Sequence, residues 1–180
     1  MNIQDLFNLD KKTAFISGGA TGIGRMAAEA MAMAGARVLI ASRKGSACAS
    51  VAEEINQKGY KGIVESFEGD LSSETGIEAL VKEIKIRTGK LNILMNNSGR
   101  SWGAPLGSFP HSAWEKVMSL NVAGLFSLTQ SLIPLLEKSA THEDPARVIN
   151  VGSVMGEIPM GDGAYSYSAS KAAVHQITKV

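Results

Sequence analysis

With 180 residues, of which 44% are hydrophobic and 19% charged, the chain reads as one globular domain with a sizeable core. Its 18 Lys and Arg balance 17 Asp and Glu without any basic cluster, which argues against nucleic acid or an anionic membrane as the main partner. The single cysteine, Cys48, excludes an internal disulfide and any multi-cysteine zinc site.

The first ten residues show neither a cationic start nor an apolar signal core. No apolar run approaches the roughly 20 residues of a membrane span, so a cytoplasmic location is expected by default. Thr13 to Ile16 read as a short buried strand, and glycines 18, 22 and 24 follow at once. A helix-favouring run then begins near Ile23 and stops at Ala34-Gly35. Strand, glycine turn and helix form a layout that binds a dinucleotide. Bare main chain approaches the pyrophosphate, and the helix's first N–H groups and positive dipole end face the anion. Glycine turns also serve merely to turn the chain, but this one sits in the context that the motif requires.

Arg37 to Ala41 form the second strand, and a helix from Ser46 to Lys58 ends at Gly59. Gly62 to Phe67 make the third strand, closed by Gly69-Asp70-Leu71. Ser72 or Ser73 caps the next helix, whose Ile77, Leu80, Val81 and Ile84 share one face. Glu78–Lys82 and Glu83–Arg87 are i,i+4 pairs on its solvated side. Leu91 to Met95 form strand four and Arg147 to Val151 strand five, with a long helix from about Ser112 to Lys138 between them. Pro134 is expected to kink that helix. Trp114, Val117, Met118, Leu125, Leu128, Leu132 and Leu135 form its apolar stripe, which Phe126, Ile133 and Leu136 widen. That breadth fits either a wide core face or a second face buried in an oligomer. A last helix opens near Tyr165 and runs to the end of the sequence.

Strands alternating with helices imply parallel βαβ units and a Rossmann-type doubly wound α/β sheet. Ligands of such sheets bind beyond the carboxyl ends of the strands, so several groups converge there. They are Asp70, Asn96-Asn97-Ser98-Gly99, Ser153, and Tyr167 with Lys171 on the last helix. The four-residue spacing of Tyr167 and Lys171 turns both side chains the same way. A phenol in water holds its proton until about pH 10, and bringing that to about 7 needs roughly 4 kcal/mol. An ammonium about 4 Å away supplies roughly that much at an effective dielectric near 20. Tyr165 points elsewhere, about 240° around the helix from Lys171, and reads as packing or a pocket wall. His111, His142 and His175 show no metal-ligand spacing and read as structural or surface; no metal is expected.

From residue 11 onward the sequence resembles the short-chain dehydrogenases/reductases, in the branch patterned T-G-x-x-x-G-x-G, N-N-A-G, Ser, Y-x-x-x-K. Ser17 to Gly24 fits with Ser for Thr, and Asn96 to Gly99 with Ser for Ala. The resemblance implies catalytic roles for Asn121, Ser153, Tyr167 and Lys171. It implies cofactor contacts from Gly18, Thr21, Gly22, Ile23, Gly24, Asp70, Leu71, Asn97, Ser98, Gly99, Tyr167 and Lys171. The segments Ser101 to Leu106, Trp114 to Met118 and Pro145 to Asn150 are most similar to 3-oxoacyl-[acyl-carrier-protein] reductases of the rhamnolipid-biosynthesis type.

Where an NAD site usually places an acid, about 20 residues past the glycines, this chain has Ala41-Ser42-Arg43-Lys44. Ser42 and Arg43 suit a 2′-phosphate, so NADP(H) is the expected cofactor. A six-stranded dinucleotide fold needs at least one more βαβ unit of roughly 30 residues. Residues 1–180 therefore read as a single NAD(P)-binding Rossmann domain truncated after the fifth strand and the start of the following helix.

The expected activity is NADPH-dependent reduction of a ketone, most similar to a 3-oxoacyl thioester. The alternatives are an NAD(P)-dependent alcohol dehydrogenase of another substrate class and a catalytically silent nucleotide-binding fragment. Substrate aside, the expected partner is a second copy, in a homodimer or homotetramer of the full-length protein.

Overall fold

The computed structural model describes residues 6–158, 160–161 and 163–180. Among them, β1 (Thr13–Ser17), β2 (Arg37–Ser42), β3 (Ile63–Glu68), β4 (Ile93–Asn96) and β5 (Arg147–Asn150) form one parallel sheet. Its order is β3-β2-β1-β4-β5. From β1 the chain steps outward through β2 to β3, then crosses back to set β4 on β1's other side. Ala14, Phe15 and Ile16 accordingly pair with Val38, Leu39 and Ile40 on one flank and with Ile93, Leu94 and Met95 on the other. That reversal opens a crevice at the carboxyl ends of β1 and β4.

Alternation along β1 assigns its residues to two cores. Ala14 and Ile16 meet α1 (Gly22–Met33) and α2 (Gly45–Asn56) through Ala28, Ala32, Val51 and Ile55. Phe15 faces the opposite way, into Leu80 and Ile84 of α3 (Glu74–Arg87) and Leu128 and Leu132 of α5 (Leu125–Glu137). The small alanines let α1 lie close to the sheet, which keeps its first turn at the crevice. Every residue of β1 is buried, whereas Val148 and Ile149 of β5 are each 41% exposed, so β5 is an open edge.

Local chemistry settles the caps. Ser73 accepts the Gly76 N–H at 3.2 Å and begins α3, while the Ser72 hydroxyl donates to Asp70 instead. Of the two expected ion pairs on α3, Glu83–Arg87 closes at 2.6 Å.

The expected continuous helix over 112–138 is divided. α4 (His111–Met118) passes into a π-helical turn, Ser119–Gly124, and then into α5. This wider turn buries Leu120, Asn121 and Gly124, and an added Cβ on Gly124 would collide with the Leu71 carbonyl. Pro134 lies inside α5, and a departure from α-helical geometry stands upstream of it, at 119–124. The broad apolar stripe divides as well: Val117, Leu125, Leu128, Leu132, Leu135 and Leu136 are buried, while Trp114, Phe126 and Ile133 stay exposed.

Contrary to expectation, His111–Glu137 is long and apolar enough to cross a membrane by length and composition alone. Leu128 and Leu132 are fully buried against the sheet, so this apolarity belongs to the core. The last helix, α6 (Tyr165–Lys179), packs on α4 and the π-helical turn.

Leu128→Ala should therefore cost about 2–5 kcal/mol in urea unfolding. Amide exchange should be slowest in β1 and much faster in β5, where the exposed edge lowers the opening energy. Equal protection of the two strands would contradict this account.

Candidate active site

A cleft of about 1130 Å³ lies over the carboxyl ends of β1 and β4. One wall is the glycine turn and the start of α1. Gly18 and Gly22 have φ of +68° and +51°, which side chains with a Cβ adopt at a cost, and Gly22 has open space before it. Thr21 gives α1 no side-chain cap, so the first N–H groups of that helix have no such partner. Behind this wall stands Asn97, whose Nδ2 donates to the Ser17 and Gly18 carbonyls, each at 3.0 Å. The Ser17 hydroxyl accepts the N–H of Asn97 at 3.1 Å and of Ser98 at 3.0 Å. Gly24 is buried beneath them, and an added Cβ there would strike Asn97 Nδ2 and the Gly18 carbonyl.

At the end of β2, Arg43 and Lys44 are exposed at the cleft, and among the described residues Arg43 forms no salt bridge. The Ser42 hydroxyl donates to the Lys44 carbonyl at 3.3 Å and accepts from the Cys48 thiol at 3.2 Å. Across the cleft, burial works to raise the Asp70 pKa, but other effects prevail. Hydrogen bonds from Ser72, with Arg43 and Arg100 nearby, hold it below the usual value.

The opposite wall carries Ser153 and α6. Tyr167 and Lys171 face the cleft one turn apart, with the Lys171 ammonium 5.7 Å from the Tyr167 ring centroid. Lys171 is only 5% exposed and donates to the Val151 carbonyl at 2.6 Å; burial lowers its pKa. The Ser153 hydroxyl accepts the Met155 N–H at 3.3 Å, leaving its own proton to donate. Tyr165 instead packs edge-on against Phe109, with centroids 5.4 Å apart.

Asn96 stands off the cleft, its amide donating to Thr129 and Asn150, and of the expected catalytic and cofactor-contacting residues all line it except Gly24 and Asn121. Both lie one layer behind it. The Asn121 Oδ1 accepts the Arg100 N–H, and its Nδ2 donates to the Arg100 carbonyl and the Ser170 hydroxyl, all at 2.9 Å. Ser170 in turn donates to the Tyr167 carbonyl at 2.7 Å. The Asn121 amide is thus a brace between Arg100, in the loop after β4, and α6, with both of its N–H groups engaged. The sequence did not single out Arg100 or Ser170, and it placed Ser17 in the glycine motif without its contacts to Asn97 and Ser98. Arg100 had one available signal, a cation placed directly after Asn96-Asn97-Ser98-Gly99.

The model of the short chain dehydrogenase family matches residues 12–180. A curated relative, the rhamnolipids biosynthesis 3-oxoacyl-[acyl-carrier-protein] reductase of Pseudomonas aeruginosa, is 47% identical over 174 residues, covering 97% of this chain and 67% of its own. The solved Pseudomonas aeruginosa RhlG/NADP active-site complex superposes with a TM-score of 0.90 at 47% identity, over 96% of this chain and 66% of that one. A gluconate 5-dehydrogenase of Burkholderia cenocepacia, in complex with NADP and tartrate, gives 0.85 at 29% identity over 99% of this chain and 67% of that one. The chain thus spans about two thirds of the length of these relatives. Its five-stranded parallel sheet, its cleft and these matches agree: the chain belongs to the short-chain dehydrogenase family.

Proposed function

We propose that residues 1–180 form one nucleotide-binding domain of an NADP(H)-dependent reductase that converts a ketone, in particular a 3-oxoacyl thioester, to the hydroxy product. One observation carries this reading. A single cleft joins the glycine turn and Arg43 at one end to Ser153, Tyr167 and Lys171 at the other. The cofactor fits the residues present: the uncapped first turn of α1 and open Gly22 suit a pyrophosphate, and Arg43 without a salt bridge suits a 2′-phosphate. The NADP bound in RhlG supports the same choice.

Bound NADPH supplies the hydride. The chain's own residues bind, orient and protonate the substrate. Ser153 donates a hydrogen bond to the carbonyl oxygen, and Tyr167 transfers its phenolic proton to that oxygen as negative charge develops there. Lys171, nearly buried and fixed by the Val151 carbonyl, stabilises the phenolate left behind and would hold the ribose of a bound nicotinamide. Asn121 holds the frame of α6 through Ser170 and, as the family resemblance implies, would position the water that refills the proton.

Apolar side chains at and near the cleft suit an acyl chain. Trp102 and Met155 line the cleft, and Leu106, Val154, Ile158 and Met160 are each more than half exposed nearby in sequence. The similarity to a gluconate dehydrogenase keeps polar ketones as the second substrate class. Exposed Trp114, Phe126 and Ile133 support a homodimer or homotetramer, and a balanced charge with one free, buried thiol supports a cytoplasmic setting. Comparing kcat/KM for a 3-oxoacyl thioester and for a polar hydroxy-ketone, with NADPH, tests the substrate class; preference for the polar ketone would reverse it.

Removing the phenolic hydroxyl in Tyr167→Phe should leave NADP(H) binding nearly intact while reduction falls by about 10²–10⁴-fold. Tyr165→Phe, whose ring only packs on Phe109, should keep most activity; the reverse pattern would move the site. Arg43→Ala should lower the NADPH/NADH ratio of kcat/KM by roughly 10- to 150-fold, the loss of about 1.5–3 kcal/mol from a charge-assisted contact. An unchanged ratio would place the 2′-phosphate elsewhere.

Burial of Lys171 also makes stability depend on pH. Its pKa is lower in the folded chain, so the unfolded chain holds this proton to higher pH. Stability therefore rises with pH between the folded value and the ordinary lysine value near 10.4. Melting curves of the unmodified chain and Lys171→Met should accordingly diverge in the unmodified chain's favour as the pH is raised from neutrality toward the ordinary lysine value near 10.4. A difference that stays flat would show that the ammonium is solvated.

A further inference from the structure

The segment carrying Ser153 touches α6 at three successive points. Lys171 holds the Val151 carbonyl at 2.6 Å. One turn further along α6, the His175 Nε2 accepts the Ser153 main-chain N–H at 3.3 Å. Beyond that, Gly156 rests on the helix backbone: an added Cβ would stand 2.8 Å from the Lys171 carbonyl carbon and 3.0 Å from His175 Cε1. Gly152, on the other side of Ser153, lies so close that a Cβ would overlap the His175 ring. The imidazole thus fills a slot made by the two glycines that bracket the serine's turn, and among the described residues its hydrogen bond goes to the serine itself.

That hydrogen bond defines the ring's state. Nε2 accepts, so the neutral ring carries its proton on Nδ1. Nδ1 is buried and has no hydrogen-bond partner among the described residues; the Glu157 carboxylate is 3.4 Å away, within ion-pair reach but unaligned for a hydrogen bond. A leucine of similar bulk would fill the slot without leaving that nitrogen unpaired. Packing alone therefore does not call for histidine here, whereas an acceptor for the Ser153 N–H does.

We propose that His175 is a positioning residue: it fixes the Ser153 main chain, and through it the direction in which the Ser153 hydroxyl meets the substrate carbonyl. Tyr167, Lys171 and His175 follow one another at four-residue intervals on α6, so one helix stripe sets the proton donor, its ammonium and the serine's place. This rests on the reading of Ser153 as the hydrogen-bond donor to the carbonyl.

The test compares His175→Leu, which keeps bulk but no acceptor, with His175→Gln, whose amide oxygen reaches the place of Nε2. In the purified protein, His175→Leu should lower kcat for ketone reduction by about 10- to 100-fold, the scale of a misplaced reacting group. The affinity for NADP(H) should be unchanged, and His175→Gln should restore most of the loss. Added to Ser153→Ala, His175→Leu should cost nothing further in kcat, because it acts only through the serine. Normal turnover in His175→Leu, equal losses in the Leu and Gln variants, or a full additional loss in the Ser153→Ala background would each overturn the proposal. If Ser153→Ala itself turns over normally, the parent reading of the serine fails instead.

Discussion

The site depends on one join between distant parts of the chain. Asn97, at the end of β4, donates from a single amide nitrogen to the carbonyls of Ser17 and Gly18 at the end of β1. Ser17 answers by accepting two N–H groups of the β4 loop. These groups are largely withdrawn from water, where an unpaired donor or acceptor costs about 1–3 kcal/mol, so the loop ends hold one relative placement. The glycine turn, the first turn of α1 and the Asn97–Trp102 wall take their positions from this join. Gly24 has no side chain because Asn97 occupies the space.

A second brace ties the chemical wall to the same frame. Asn121 spends its whole amide on Arg100 and Ser170, and Ser170 passes the connection to the Tyr167 carbonyl. The π-helical turn at Ser119–Gly124 is what presents Asn121 inward at this depth. Lys171 shows the cost of such a site. Burying an ammonium that, among the described residues, donates to one carbonyl opposes folding, and the charge it holds stands 5.7 Å from the Tyr167 ring centroid.

Much of this was legible in the sequence because it follows from short-range rules. Period and composition locate β1 to β5 within a residue or two, and spacing alone aligns Tyr167 with Lys171 on one stripe. The glycine turn declares itself because only glycine suits φ near +60° beside an anion site. The π-helical turn left no such trace: its residues, Ser-Leu-Asn-Val-Ala-Gly, have ordinary helical character. What widens the turn is the close approach of Gly124 to Leu71 and the pull of Arg100 and Ser170 on Asn121, all tertiary.

The sequence by itself determined the alternation of strands and helices and the parallel sheet, and it marked the candidate site residues. Each of those is encoded in periodicity or in neighbours a few positions apart. Only the tertiary structure decided that Gly24 and Asn121 stand behind the cleft, that Arg100 stands in it, and which side of α5 is core. Those outcomes turn on contacts between residues far apart in the chain, such as Asn97 with Gly18 and Asn121 with Ser170. A residue's type fixes what it can bond; the packing of the whole sheet fixes which partner comes within about 3 Å of it.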